Sequence, residues 1–232
     1  MMRFERTEQL FGKENMDILR GAHVLIVGVG GVGGYATEMI ARSGVGKLTI
    51  VDFDMVSKSN INRQIIALSS TVGRSKVEVM KERIFEINPN CEVVAINQKF
   101  DENLAKEIFK TNFDFVVDAI DDLENKLLLV KTAKEKGLEI VSAMGAGNRV
   151  GIPNFKICDV FKTHSDGLAK KFRKMLKDEE ISSLDVAFSE EKPLVCKGEN
   201  EKLVVGSTSY SPAMCGCVIS AYVINKLTNN LK

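Results

Sequence analysis

The alternation of short apolar strands with amphipathic helices is the feature that most constrains the fold of this chain. HVLIVG (23–28) is a β-branched run that stops at glycine, which is typical of a buried parallel strand. KLTIVD, CEVVAIN, FDFVVDAI and LEIVSA repeat this pattern as far as residue 143, with helical segments between them. Such an alternation predicts an α/β fold with a doubly wound, mostly parallel sheet.

The pattern changes after residue 143. We therefore predict a main domain over residues 1–143, beginning with a helical arm at 1–20, and a small extension of strands and helices over 144–232. Within the extension, residues 165–180 predict an amphipathic helix rich in lysine. Residues 181–202 are polar and weakly patterned, and predict a loop.

Composition excludes several classes of protein. Of 232 residues, 44% are hydrophobic and 27% are charged, which is typical of a soluble globular protein. The formal net charge of +1 means that any surface for nucleic acid must be local. Five irregularly spaced cysteines favour a reducing compartment over a disulfide framework. The N-terminus has no apolar signal segment, so we expect a cytoplasmic protein with no membrane span.

A glycine-rich turn follows the first strand. GVGGVG supplies Gly28, Gly30, Gly31 and Gly33, and Asp52 lies 19 residues beyond the last of them, at the end of the second strand. Glycines let the backbone approach a phosphate at a helix N-terminus, and a carboxylate at that distance can bind a ribose. The turn predicts a nucleotide site, but the motif alone does not separate NAD from ATP.

Basic residues after the second strand favour ATP chemistry. Asn60, Arg63 and Lys76 follow Asp52, and together they can hold a triphosphate and stabilise charge on a reacting α-phosphate. Hydride transfer needs an acid or base near the nicotinamide, often a histidine. The chain has two histidines, and His23 begins a strand, where a packing role is the simpler interpretation.

A group of acids follows the fourth strand, in DAIDDLENK (118–126). The carboxyl ends of parallel strands line the ligand crevice, so Asp118 and Asp121 could reach a Mg²⁺ ion bound to the phosphates. Asp122 could serve the same ion or cap the following helix.

These motifs together resemble the ThiF/MoeB/HesA superfamily, which is related to the ubiquitin-activating enzymes. The resemblance runs from RFERTEQLFG (3–12) to about residue 145. It implies a Rossmann-like domain that adenylates a carboxylate with ATP and Mg²⁺, as a homodimer. It also implies that Asp52 binds the ribose, that Asp121 serves the metal, and that Arg6 reaches the ATP of the partner subunit. The phosphate contacts would fall to Asn60, Arg63 and Lys76.

The carboxylate substrate has two candidates. Relatives that activate the Gly-Gly carboxylate of a sulfur-carrier protein, and could involve a sulfur-transfer protein partner, usually carry two C-x-x-C pairs. This chain has none: Cys215 and Cys217 form C-x-C. Residues 142–177 instead resemble the tRNA threonylcarbamoyladenosine dehydratase subfamily, which implies a tRNA substrate. The segment 162–177 has one acid, Asp166, against six basic residues, Lys162, Lys170, Lys171, Arg173, Lys174 and Lys177.

Two further classes stay open from the sequence. A nucleotide sensor without catalysis would keep the glycine turn but would have no need of Arg63, Lys76 and Asp121 together. An NAD-dependent oxidoreductase would share the turn and Asp52.

Overall fold

A computed structural model describes residues 3–198 and 201–230. The parts of our predictions that fall on residues 1–2 of the arm, 199–200 of the loop and 231–232 of the extension lie outside the described residues. Seven strands form one sheet: β1 His23–Val27, β2 Lys47–Val51, β3 Glu92–Ile96, β4 Phe115–Asp118, β5 Ile140–Ala143, β6 Phe155–Asp159 and β7 Asp185–Ser189. The short strands β8 Cys196–Lys197 and β9 Leu203–Val204 pair separately as a hairpin.

Seven α-helices and two 3₁₀ turns connect these strands among the described residues. The helices are α1 Glu5–Gly21, α2 Gly33–Arg42, α3 Lys76–Ile87, α4 Glu102–Ile108, α5 Leu123–Glu135, α6 Gly167–Asp178 and α7 Tyr210–Leu227. The 3₁₀ turns span Lys58–Asn60 and Val160–Lys162. Helix α1 is broken at Gly12, whose φ of 79° lies in the left-handed region that favours glycine.

The sheet is doubly wound, as the sequence predicts. Its strand order is β3-β2-β1-β4-β5-β7-β6, and all neighbours are parallel except β6, which runs antiparallel to β7. The order reverses between β1 and β4, and ligands of open α/β sheets bind at this position, beyond the carboxyl ends of the strands. One apolar core joins the sheet to α2, α3 and α7, and a second core joins the other face to α4, α5 and α6.

The prediction of a loop over residues 181–202 is wrong. Residues Asp185–Ser189 form β7, which inserts between β5 and β6, and Val186, Ala187 and Phe188 are almost completely buried. The strand DVAFS contains one β-branched residue, Val186, and most of the residues around it are polar, so its sequence shows no clear strand pattern. Pairing on both sides determines its structure, and that pairing comes from residues far away in the chain.

No helix of the described segments combines the length and the apolar character that a membrane crossing requires.

Candidate active site

The glycine turn connects β1 to α2 at the position where the strand order reverses. Gly28 has a φ of 93°, and a Cβ atom there would lie 2.6 Å from the carbonyl oxygen of Ala119, after β4. A Cβ atom at Gly33 would overlap the carbonyl oxygen of Gly28. Both positions therefore require glycine, because the turn packs tightly between β1, β4 and the start of α2. Helix α2 begins at Gly33, directly after the turn, and the first N–H groups of a helix are the ones that can bind a phosphate.

Asp52 links the end of β2 to this turn. Its Oδ2 accepts a hydrogen bond of 2.7 Å from the N–H of Val29, and its Oδ1 accepts one of 2.9 Å from the N–H of Asp54. Each carboxylate oxygen retains a second lone pair, which a ribose hydroxyl can use. The structure therefore brings Asp52 next to the glycine turn in an orientation fixed by two backbone groups.

Lys76 lies beside Asp52, although the two are separated by 24 positions in the sequence. Its Nζ is 2.6 Å from Asp54 Oδ2 and 3.9 Å from Asp52 Oδ1, and the residue is 5% exposed. A cation at a helix N-terminus opposes the helix dipole. Here two carboxylates compensate for that position, and they hold the ammonium group at the edge of the crevice.

Asn60 and Arg63 approach the same crevice from the loop after β2. The amide oxygen of Asn60 accepts a hydrogen bond of 3.0 Å from the N–H of Ser57, while the guanidinium of Arg63 donates at 2.8 Å to the carbonyl oxygen of Ser59. A Cβ atom at Gly31 would lie 3.6 Å from Arg63 Cγ, so the arginine side chain passes directly over the glycine turn.

The three aspartates at the end of β4 and just after it have three different environments. Asp122 caps α5, because its Oδ1 accepts a hydrogen bond of 2.9 Å from the N–H of Asn125. Asp118 is fully buried, with Oδ2 2.8 Å from Lys126 Nζ, so it is not available for a metal and the expectation for it is wrong. Asp121 is exposed and accepts no hydrogen bond from the described residues. It is the acid of this group that remains open to a ligand.

Arg6 lies far from these residues within one chain. The preceding Arg3 donates to the carbonyl oxygen of Glu86 at 2.8 Å, near the end of α3, and Phe4 lies against Gly44 after α2. Helix α3 begins at Lys76 in the crevice, at the carboxyl ends of the strands. It extends for 12 residues, about 18 Å, toward the amino ends of the strands. The start of α1 therefore lies near the amino ends of the strands, and the structure does not bring Arg6 to its own glycine turn.

Helix α6 carries a basic face that begins near the crevice. Its N-cap, Asp166, accepts hydrogen bonds of 2.9 Å from Ala169 N–H and 3.0 Å from Gly145 N–H, after β5. Four exposed lysines of α6, together with Lys162 of the preceding 3₁₀ turn, form no ion pair with a described residue: Lys162, Lys170, Lys171, Lys174 and Lys177. Arg173 differs, since it donates to the carbonyl oxygen of Thr163.

A family model described as the ThiF family matches residues 4–231. This chain belongs to the ThiF family.

Individual relatives match over nearly the whole chain. A tRNA threonylcarbamoyladenosine dehydratase from Bacillus subtilis is 37% identical, over 99% of this chain and 96% of that protein. The crystal structure of Escherichia coli tRNA N6-threonylcarbamoyladenosine dehydratase, TcdA, in complex with ATP has a TM-score of 0.90 and 31% identity, and covers 98% of this chain and 94% of that one. By contrast, a molybdopterin-synthase adenylyltransferase from Salmonella typhimurium is 37% identical over only 53% of this chain. Within the ThiF family, the likeness to the dehydratases therefore includes the C-terminal extension.

Gln64 also lies beside the glycine turn, although the sequence analysis gives it no role. It is 6% exposed, and its amide nitrogen would lie 3.8 Å from a Cβ atom at Gly30. Its Oε1 is buried and has no hydrogen-bond partner among the described residues. A buried amide without a partner is costly, so this atom is a candidate for contact with a ligand or water. The only signal in the sequence is its position next to Arg63.

Two buried ion pairs around the crevice are not evident from the sequence either. Lys126 pairs with Asp118 and donates to the carbonyl oxygen of Ile120 at 2.8 Å, which fixes the loop before Asp121. Arg149 is 2% exposed and lies 3.2 Å from Asp166, so it joins the loop after β5 to the start of α6. Charged residues are rarely buried without a partner. These partners lie 8 and 17 positions apart, and no sequence pattern marks them as pairs.

Two cysteines and the buried histidine of this ThiF-family chain are not activated groups. Burial raises the pKa of Cys215 to about 12 and also raises the pKa of Cys217, so neither is a thiolate near neutral pH. Burial lowers the pKa of His23, whose ring lies 2.8 Å from the hydroxyl of Thr49. His164 is exposed, 3.4 Å from Glu190.

Proposed function

We propose that this protein uses ATP to adenylate the threonylcarbamoyl carboxylate of N6-threonylcarbamoyladenosine at tRNA position 37, and then releases a cyclic, dehydrated product. The observation that carries the proposal is the convergence of Asp52, Arg63 and Lys76 on one glycine turn. The names of relatives that match nearly the whole chain support the substrate.

The reaction has two steps. In the first, a carboxylate oxygen of the substrate attacks the α-phosphorus of ATP, the bond between the α- and β-phosphates breaks, and pyrophosphate leaves. In the second, a neighbouring atom of the threonylcarbamoyl group attacks the activated carbonyl carbon, and AMP leaves. The nucleoside loses one water overall, while ATP becomes AMP and pyrophosphate. Because the second nucleophile is held within the substrate, no nucleophile from the protein is needed.

The residues of the crevice divide this work between them. Asp52 orients the ribose through the free lone pairs of its carboxylate. The amide nitrogen of Asn60, which donates to none of the described residues, binds a phosphate oxygen. Arg63 and Lys76 neutralise the charge that develops on the α-phosphate and on the leaving pyrophosphate. Lys76 is held within reach of this charge by Asp52 and Asp54.

Mg²⁺ fits the site only in combination with the nucleotide. Among the residues that the structure describes, no group of three or more His, Cys, Asp or Glu side chains is arranged to hold a metal. Asp121 offers one exposed carboxylate at the mouth of the crevice. Mg²⁺ commonly takes one or two carboxylates together with substrate phosphates and water. Asp121 would supply that carboxylate, and the ion would neutralise phosphate charge.

Arg6 would act in a second copy of the chain. Arg6 lies near the amino ends of the strands, too far away to contact its own nucleotide. A contribution to catalysis therefore requires a homodimer. The partner's crevice would then receive one more cation near the phosphates.

The basic face of α6 supports a tRNA substrate. Its exposed lysines begin beside the loop after β5, so an RNA that placed one nucleotide in the crevice could lay its phosphates along α6. A tRNA-modifying role also accounts for the cytoplasmic location that we expect.

Exchange of labelled pyrophosphate into ATP tests the proposal and its main alternative. We expect exchange with tRNA that carries the threonylcarbamoyl group, and none with unmodified tRNA. If exchange appeared only with a Gly-Gly-tailed carrier protein, the tRNA substrate would be wrong, and a sulfur-transfer protein would become the partner to seek.

A further inference from the structure

We propose that Asn62 is a positioning residue that holds the guanidinium of Arg63 in place for adenylation by joining it to the segment 206–211. The inference rests on the proposed function, because it concerns the same adenylation step.

The side chain of Asn62 accepts one hydrogen bond and donates another. Its Oδ1 accepts a hydrogen bond of 2.9 Å from Arg63 Nη1, and its Nδ2 donates one of 3.1 Å to the carbonyl oxygen of Ser207. The two hydrogen bonds determine the orientation of the amide, since only the nitrogen can donate to a carbonyl. The oxygen is therefore directed at Arg63.

The segment 206–211, which accepts the hydrogen bond from Asn62, is itself held by hydrogen bonds to the loop after β5. Gly206 forms two hydrogen bonds with Asn148: its carbonyl oxygen accepts from Asn148 N–H at 2.8 Å, and its N–H donates to Asn148 Oδ1 at 2.5 Å. Ser211 donates to the carbonyl oxygen of Ala146 at 2.8 Å. Residues 206–211 are thereby fixed to the loop after β5, so Asn62 connects Arg63 to a rigid part of the domain.

The same segment leads into α7 over the glycine turn. A Cβ atom at Gly31 would lie 3.1 Å from Pro212 Cβ and 3.6 Å from Arg63 Cγ, so proline and arginine flank Gly31 together. Arg63 itself is only half-buried, and an arginine side chain without a second support has many accessible rotamers. Catalysis by a cation depends on its being positioned before the charge develops. Asn62 supplies that support.

A double-mutant cycle tests whether Asn62 acts through Arg63. Asn62→Ala is expected to lower kcat for tRNA-dependent pyrophosphate exchange by about 10-fold to 100-fold, the range for a hydrogen bond to a charged group. KM for ATP should change by less than about threefold, since the other phosphate-binding groups remain. In an Arg63→Ala background, Asn62→Ala should change kcat by less than about twofold. Asn62 is exposed, so the variant should fold, and an unchanged melting temperature checks this.

Asn112→Ala is the matched control, because Asn112 is also exposed but lies before β4, at the amino ends of the parallel strands and therefore away from the crevice. Its kcat should equal that of the wild-type protein. Wild-type rates in Asn62→Ala, or equal losses with and without Arg63, would overturn the positioning role while leaving the adenylation reaction standing. Absence of exchange in the wild-type protein would overturn the proposed function, and this inference with it.

Discussion

The ammonium of Lys76 lies 2.6 Å from the carboxylate of Asp54, at the N-terminus of α3 and beside the glycine turn. Asp52 is the second carboxylate near this ammonium, at 3.9 Å. A triphosphate that entered the crevice would bring a larger negative charge to the same place. Lys76 would then exchange part of its interaction with Asp54 for the phosphates, while staying in position.

Replacing Lys76 should slow adenylation strongly. Lys76→Ala is expected to lower kcat for pyrophosphate exchange by about 10²- to 10³-fold, because a preorganised cation at a developing charge is removed. Steady-state exchange rates at saturating ATP and tRNA measure this change. Lys47→Ala is the control, since Lys47 pairs with Glu92 at the opposite end of β2. If both variants kept wild-type rates, Lys76 would have no part in catalysis.

Neutralising the lysines of α6 should weaken tRNA binding without affecting the nucleotide. The triple variant Lys170→Gln, Lys171→Gln and Lys174→Gln should bind tRNA less tightly. The slope of log K against log salt should fall by about one for each phosphate that the variant no longer neutralises. Filter binding over a range of salt concentrations measures both quantities, and the rise in melting temperature with ATP should be unchanged.

A triple glutamine variant of exposed lysines elsewhere, at Lys13, Lys81 and Lys99, controls for net charge. Equal reductions of tRNA affinity in the two triple variants would show that α6 has no specific role in tRNA binding.

Replacement by alanine should change the free energy of unfolding differently at two glycines. A Cβ atom at Gly216 would lie 2.5 Å from the carbonyl oxygen of Val32, where α7 packs on α2, so Gly216→Ala should reduce the free energy of unfolding by about 1–3 kcal/mol. Gly167 begins α6 with nothing within 4 Å of its Cβ position, and Gly167→Ala should be neutral or stabilising by up to about 1 kcal/mol. Urea denaturation gives both values. A Gly216→Ala protein as stable as wild type would contradict this close helix packing.

His23 should make the fold less stable in mild acid. Burial lowers its pKa in the folded protein, so the unfolded chain takes up the proton first, as the pH falls through about 6.5. This contribution is fully present above that pH, and it is lost progressively as the pH approaches the folded pKa. His23→Asn should therefore lose less unfolding free energy than wild type as the pH falls from about 7.5 to about 5.5. Identical losses in the two proteins would exclude His23 as the cause.

Strands β1 to β5 could be predicted because each lies in a short apolar run that is rich in β-branched residues. An apolar run of this kind is a local signal, and so it is visible in the sequence. Strand β7 could not be recognised in this way, since DVAFS acquires its structure only by pairing with β5 and β6. A short strand of this kind depends on tertiary contacts more than on its own propensity.

In the candidate site, too, the residues with a local signal in the sequence could be predicted and the others could not. Asp52, Arg63 and Lys76 follow one another closely in the chain, just after a recognisable glycine motif, and the structure brings them to one crevice. Asn62 has no such signal, because its role depends on Ser207, 145 positions away. Buried ion pairs such as Lys126 with Asp118 are equally hidden, since a lysine in a sequence is normally taken to be exposed.

The proposed reaction requires that ATP be cleaved between its α- and β-phosphates when a tRNA carboxylate is present. The most direct measurement separates the products of labelled ATP after incubation with threonylcarbamoyl-modified tRNA, and weighs the modified nucleoside by mass spectrometry. We predict AMP and pyrophosphate in equal amounts, together with a nucleoside that has lost one water. Formation of ADP and phosphate, or an unchanged nucleoside alongside consumed ATP, would contradict the account.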